Sequence, residues 1–225
     1  MNREPLTVNH QPFDATRYTR FFEHPHIGPE ACDFLFAQRR LDPRVIRWCR
    51  LTSWTDKHGI PWLQIPYFDP DGSLVGIQNR NLISSAKGQV SDSKVHSQPL
   101  NMNPAPRFRF PQGSRCSIYN LPVLRLLHEG EPLWIAEGAS DCWALLSAGH
   151  KAIAIPSATL LTNEDKDILL SLSSSLSLNF HMAPDQDLPG EQLFLRLQAL
   201  LPNLTRHQLP KGCKDYAEYY VKFKI

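Results

Sequence analysis

After residue 130 the chain alternates regularly between short apolar runs and amphipathic stretches, and this narrows the possible folds more than any other feature of the sequence. Leu133-Trp134-Ile135-Ala136, Ala152-Ile153-Ala154-Ile155, Leu178-Asn179-Phe180-His181-Met182 and Leu204 to Leu209 have the length and composition of buried strands. Helical spacing fills the gaps: Ser140 to Ala148, a segment capped by Thr162-Asn163-Glu164-Asp165 and running to about Ser173, and Pro189 to Leu201. Strands separated by helices pair in parallel, with the helices covering both faces of the sheet. In such α/β folds chemistry gathers at the carboxyl edge of the strands.

The first half of the chain is patterned differently. It holds most of the 19 prolines, which favour short strands and turns. Pro29 to Arg39 reads as a helix, and Asp42-Pro43 caps and opens a second short helix through Cys49. Trp62 to Phe68, the turn Asp69-Pro70-Asp71-Gly72 and Ser73 to Gln78 read as a β-hairpin. Ile83 to Pro106 is polar and poorly patterned, as expected of a mobile loop. The expected organisation is an extension over 1–28, a smaller α+β subdomain over 29–130, and an α/β domain over 131–225.

The charge divides along the same line. Residues 1–130 carry 16 Lys and Arg against 11 Asp and Glu, and residues 131–225 carry 8 against 11, so a net of +2 conceals a basic half and an acidic half. That separation suits a polyanion held by one part and metal ions by the other. The basic excess peaks between Gln78 and Arg125, where Arg80, Lys87, Lys94, Arg107, Arg109, Arg115 and Arg125 accompany a single acid, Asp92. A solvated loop accounts equally well for that run taken alone.

With 225 residues, 42% hydrophobic, and a mean hydropathy of -0.33, the chain has the composition of a folded soluble protein. The Met1-Asn2-Arg3-Glu4-Pro5 start lacks the features of a signal peptide and no apolar run approaches a membrane span, so a cytoplasmic location without membrane contact is expected. The five cysteines form no C-x-x-C pair, which argues against a disulfide framework and a zinc ribbon. His24-Pro25-His26 with Cys32 lacks a fourth ligand at tetrahedral spacing. His181 and the five tryptophans read as core or packing residues, while Phe108 and Phe110 in the basic segment are placed to stack on exposed bases. No G-x-x-x-x-G-K-[ST] loop is present, which argues against ATP-driven translocation.

The strand ends carry the chemistry. The first strand ends in Glu137-Gly138, with Asp141 one helical turn on; the third ends in Asp185-Gln186-Asp187; the fourth is followed by Lys214-Asp215-Tyr216-Ala217-Glu218. Asp185-x-Asp187 alone reads as a surface turn. Three adjacent edges delivering acids to one place read as a metal site, because clustered carboxylates repel unless cations bind between them. Such hard oxygen ligands suit Mg²⁺ or Mn²⁺.

These segments resemble the TOPRIM domain shared by DnaG-type primases, topoisomerases and certain nucleases. The resemblance rests on Glu137-Gly138 ending the first strand, Asp185-Gln186-Asp187 ending a later one, and Lys214-Asp215 before a final helix, in order over about 90 residues. Upstream, Ala31 to Leu41, Ile65-Pro66-Tyr67-Phe68 through Gly76-Ile77-Gln78-Asn79-Arg80, and Arg107-Phe108-Arg109-Phe110 through Asn120 look like the basic part of a DnaG-type primase core. The resemblance implies a primer-synthesising nucleotidyltransferase of a phage, plasmid or other mobile element, acting on single-stranded DNA with nucleoside triphosphates. It implies Glu137, Asp185 and Asp187 as catalytic residues, with Asp215 also holding metal and Asp141 and Glu218 supporting it. Glu137 is alternatively a general acid/base. Arg80, Arg109 and Lys214 are implied as contacts to nucleotide or template phosphate. A helicase and a separate zinc-ribbon protein are the implied partners. Departures are the lack of the family's Cys/His ribbon, the end at Ile225 without a helicase-binding region, Leu188-Pro189-Gly190 in place of Ala-Gly, and Ala217 where a second acid is usual. A TOPRIM nuclease and a non-catalytic accessory subunit of a split primase stay open as alternatives.

Overall fold

The computed structural model of the chain describes residues 12–83, 106–156 and 161–223. Among these, no helix is long and apolar enough to cross a membrane. The structure is mixed α/β, built on two four-stranded sheets.

The first half begins with α1 (Thr19–Glu23) and α2 (Pro29–Cys32), then α3 (Pro43–Trp48). Asp42 caps α3 by accepting from Arg44 N, as its Asp-Pro start requires. The antiparallel sheet runs in the order β1 (Thr52–Thr55), β2 (Pro61–Phe68), β3 (Leu74–Asn81), β4 (Phe108–Arg109). The predicted hairpin is β2 and β3, with Gly72 at φ 82° in its turn. The helix expected over Pro29 to Arg39 is α-helical only to Cys32. From Asp33 to Gln38 it widens into a π-helix, held by Arg39 N donating to Phe34 O and Gln38 Nε2 to Asp33 Oδ2. Most of the loop expected over 83–106, with Lys87, Asp92 and Lys94, lies outside the described residues.

The second half builds the parallel sheet from β5 (Pro132–Glu137), β6 (Ala152–Ile155), β7 (Asn179–Met182) and β8 (Thr205–Arg206), in the order β6-β5-β7-β8. The helices are α4 (Ala139–Ser147), α5 (Asn163–Ser175), α6 (Leu188–Leu200) and α7 (Tyr216–Phe223). Thr162 and Asp165 form the capping box that opens α5. The fourth strand is shorter than the run Leu204 to Leu209 suggests. Only Thr205 and Arg206 are in register with β7; His207 N still donates to Met182 O at 2.8 Å, and beyond it Leu209 O accepts from Gln186 Nε2, in the loop after β7.

Period-two alternation divides the core. Leu133, Ile135, Ile153 and Ile155 pack with Leu169, Leu193, Phe194 and Leu197 of α5 and α6 on one face. Trp134, Ala136, Ala152 and Ala154 face Trp143 of α4 and Tyr216, Ala217 and Tyr220 of α7. The small alanines let α4 approach closely, and the cluster continues to Leu63, Ile65 and Tyr67 of the antiparallel sheet. The two sheets therefore share one core. Tyr119 bridges them further, exchanging both backbone hydrogen bonds with Ala154 at the β6 edge while its ring meets Tyr67 at 5.2 Å.

Gly76 is a point of close approach. A Cβ there would lie 2.5 Å from Arg115 O, and Arg115 N already donates to Val75 O. Gly76→Ala should cost about 1–3 kcal/mol in urea unfolding, as overpacking against backbone does; an unchanged midpoint would show that the 115 segment yields freely.

Candidate functional site

Three loops at the carboxyl edge of the parallel sheet meet one face of the antiparallel sheet in a cleft of about 320 Å³. Glu137 ends β5, and Gly138 follows at φ 94°, a left-handed conformation that glycine adopts without strain as the chain turns into α4. One turn on, Asp141 is 7% exposed and its Oδ1 accepts from Ala217 N at 2.8 Å. Asp185 enters after β7, and Lys214 and Asp215 enter just before α7. Asp215 Oδ1 accepts from Glu218 N and Glu218 Oε2 from Lys214 N, both at 2.8 Å, so this pair caps α7.

The loops are tied to each other. Gln186 N donates to Lys214 O at 2.7 Å, and Gln186 Nε2 to Leu209 O at 2.9 Å. Gly190, in the first turn of α6, presses on Asp185: a Cβ at that position would come within 2.5 Å of Asp185 O. The Leu188-Pro189-Gly190 sequence thus keeps the one glycine that this approach requires.

The facing wall is basic. Arg39, Arg80 and Arg107 line it together with Phe108, Tyr67 and Gln78. The Arg80 guanidinium lies 4.8 Å from the Phe34 ring centroid, and that of Arg39 5.4 Å from the same ring. Burial, then the charges of Arg107 and Arg39, lower the Arg80 pKa to about 10, which leaves it a cation at neutral pH.

The acids oppose one another. Burial and then Asp141, Glu137, Asp215 and Asp187 push the Asp185 carboxyl up to about 8. Burial and the Asp215 charge raise Asp141, against the hydrogen bond from Ala217. Burial and Asp187 raise Glu137, partly offset by Lys214 and Arg196. Glu137 Oε2 is enclosed and has no hydrogen-bond partner, so a buried acceptor stands unsatisfied at the mouth of an acidic cluster. Hard oxygen donors, mutual repulsion and an orphaned carboxylate oxygen fit a divalent cation of the Mg²⁺ class. Among the described residues, however, no three His, Cys, Asp or Glu side chains already converge on one ligand point.

Of the residues singled out in the sequence, Glu137, Asp141, Asp185, Asp215, Lys214 and Arg80 line the cleft. Asp187 does not line it; its Oδ1 caps α6 by accepting from Gly190 N, and its Oδ2 is 3.5 Å from Lys214 Nζ. Glu218 also stands outside, engaged by the cap and 3.9 Å from Lys222 Nζ. Arg109 is on the other side of the antiparallel sheet. Arg80 pairs with Phe108 in the β3–β4 register, so Phe108 shares its face and Arg109, one residue on, takes the opposite one. There Arg109 pairs with Asp56 at 3.2 Å and stacks 4.2 Å from Trp62. Burial opposes ionisation of Asp56, but donors from Ile60, Trp62, His58 and Arg109 outweigh it and bring the carboxyl to about 2. Arg39 and Arg107 are the cleft residues that the sequence did not single out. Arg107 belonged to a visible basic run; Arg39 lay within the Ala31 to Leu41 segment that carried the resemblance, but the π-turn that delivers it to the cleft is invisible in the helical spacing.

Comparison with known proteins follows the same geometry. A scan against protein-family models found no match, and neither did a search of curated proteins. Solved structures do match. A primase from Aquifex aeolicus, comprising zinc-binding and RNA polymerase domains, superposes with a TM-score of 0.63 at 18% identity over 92% of this chain and 56% of its own. The fold is that of a DnaG-type primase catalytic core. A DnaG primase catalytic domain bound to single-stranded DNA gives 0.60 at 17% identity, covering 92% of this chain and 74% of that one. The primase fragment of the bacteriophage T7 primase-helicase gives 0.56 at 14%, covering 83% and 68%. The match spans little more than half the length of that solved Aquifex chain.

The raised Asp185 pKa has a measurable consequence. A carboxyl that holds its proton more tightly when folded destabilises the fold as pH rises from about 4 through about 8, the interval between its ordinary and folded values. In metal-free buffer, the melting temperature of Asp185→Asn minus that of wild type should therefore increase between pH 5 and pH 8.5. A difference that stays flat or falls would remove Asp185 from the repelling cluster.

Proposed function

We propose that the chain is a primase-type nucleotidyltransferase that joins nucleotides on a single-stranded DNA template. The observation that carries this reading is the cleft itself, with an arginine-lined wall facing a carboxylate-lined edge, the pairing of charges that a nucleoside triphosphate with its cation would meet. The likeness to DnaG catalytic cores supports it, including one solved with single-stranded DNA. A mobile-element context and a helicase or zinc-ribbon partner belong to the same reading.

Glu137, Asp185 and Asp215 would hold the divalent cation, Mg²⁺ or Mn²⁺, with Asp141 behind them. When bound, the cation supplies charge neutralisation for the triphosphate and the leaving pyrophosphate. Arg80, Arg39 and Arg107 bind and orient the phosphates from the opposite side, with Phe34 and Phe108 keeping the guanidiniums in position. Lys214, bridged to Asp187, adds a cation beside the acids. Asp187 contributes by fixing the start of α6 and so the loop that carries Asp185. Glu218 contributes by capping the helix that follows Asp215.

The test is synthesis of oligonucleotides by purified protein on varied single-stranded templates with Mg²⁺ or Mn²⁺ and nucleotides, alone and with a zinc-ribbon protein. Asp185→Asn should lower the rate about 100-fold or more, because a neutral amide does not compensate the cation's charge. It should also abolish the Mg²⁺-dependent rise in melting temperature that the wild type shows. Arg107→Ala should act mainly on KM for the nucleotide. Cleavage of DNA without nucleotide addition would select the nuclease reading, and a protein that binds DNA with neither activity would select the accessory one.

A further inference from the structure

A second cavity of about 410 Å³ shares no lining residue with the cleft. It lies between the end of α3, the β2–β3 hairpin and the 119–126 segment, and Pro66 in its wall alternates along β2 with Ile65 and Tyr67, which line the cleft. Three arginines, Arg47, Arg50 and Arg125, stand around an indole, that of Trp48. Asp71, on the hairpin turn, is 3.2 Å from Arg125 Nη2.

Trp48 is 42% exposed yet anchored. Its Nε1 donates to Asn120 Oδ1 at 2.9 Å, while Asn120 Nδ2 donates to Ala152 O of β6 at 2.7 Å. The indole is thus held in orientation from the parallel sheet, with part of its surface left to solvent. Two residues in this cavity wall take left-handed backbone, Arg50 at φ 50° and Asn120 at φ 64°. Arg50 follows the C-terminus of α3, where Arg50 N donates to Arg47 O and Leu51 N to Ile46 O, the closing turn in which glycine is the low-strain choice. An arginine kept there, its guanidinium 5.1 Å from the Phe68 ring, projects a fixed cation at the cavity rim.

We infer that this cavity is a second, non-catalytic site that takes one nucleotide unit of single-stranded DNA, its base on Trp48 and its neighbouring phosphates on Arg47, Arg50 and Arg125. Aromatic stacking with cations along the backbone is the chemistry of sequence-tolerant single-strand binding. A strand fits better than a free nucleotide because the arginines come from two separate elements and border the cavity, where successive phosphates on either side of an inserted base would run. The inference rests on the reading that this chain works on single-stranded DNA.

The experiment is anisotropy titration of the full chain with a fluorescein-labelled oligothymidylate in metal-free buffer over a salt series, with crosslinking by 5-iodo-deoxyuridine substituted in the same strand. Trp48→Ala should weaken binding about 10-fold and Trp48→Phe, which keeps a stacking ring, by about 3-fold or less. Arg50→Ala and Arg125→Ala should each weaken binding and flatten the plot of log K against log salt by about 0.7, the single-strand value for one lost phosphate contact. Asp71→Asn, which removes the acid competing for Arg125, should tighten binding, a gain that a merely structural role would not produce. Crosslinks should map to the peptide containing Trp48. If the wild type binds the strand but these variants match it and crosslinks fall only on cleft residues, the second site is wrong while the polymerising cleft stands. Protection of Trp48 by free thymidine triphosphate, with strand binding unchanged in the variants, also overturns it. If the wild type binds no single-stranded DNA, this site and the proposed function fall together.

Discussion

Glu137, Asp141, Asp185 and Asp215 are carried into one cleft by three loops, and the negative charge of each opposes ionisation of the others. The surrounding structure works against that opposition. Backbone N–H groups of Ala217, Glu218 and Gly190 hold Asp141, Asp215 and Asp187, and Lys214 stands beside Asp187. Gln186 binds the loop after β7 to the loop before α7, so neither moves away alone. The stability that tolerates this crowding comes from elsewhere, from the apolar clusters on the two faces of the parallel sheet. A cleft of this kind is held together by its scaffold and stabilised further by a cation, which places folding and charge compensation in one linkage.

The alternation of apolar runs after residue 130 was enough to read four parallel strands and their helices, because the central strands β5 and β6 are buried on both faces and the helices opening at Thr162 and Asp187 carry side-chain caps. Thr162 and Asp165 did as their sequence indicated. The acids Glu137, Asp141, Asp185 and Asp215 were legible because strand ends in a parallel sheet share an edge. What was not legible depended on registers and turns. Arg109 and Arg80 both belong to a basic region, but only the β3–β4 pairing decides which face each occupies. Asp187 and Glu218 lie in the expected segments, and the backbone donors that cap helices with them are set by local turns that the spacing of acids does not reveal.

The antiparallel sheet gives the molecule two unlike surfaces. Toward the parallel sheet it offers Arg80, Tyr67 and Phe108; on its other side Arg109 lies on Trp62 and is spent on Asp56. The alanines of β5 and β6 permit this arrangement, since larger residues there would push α4, and with it Asp141, away from the joint core. Packing in the interior and geometry in the cleft are therefore set by the same few side chains.

The π-turn from Asp33 to Gln38 holds one residue more per turn than an α-helix would. That surplus determines where Arg39 emerges. An ordinary helix of the same sequence would advance each following side chain by about 100° per residue, so accommodating one residue fewer would swing Arg39 around the helix axis and away from Phe34. The segment is thus more sensitive to its length than to its composition. Exchanges at its exposed Phe36 and Ala37, which take no part in the Asp33–Gln38 bond, leave the arginine where it is, whereas removal of a single residue would leave the cleft with one guanidinium fewer while every acid stayed in place.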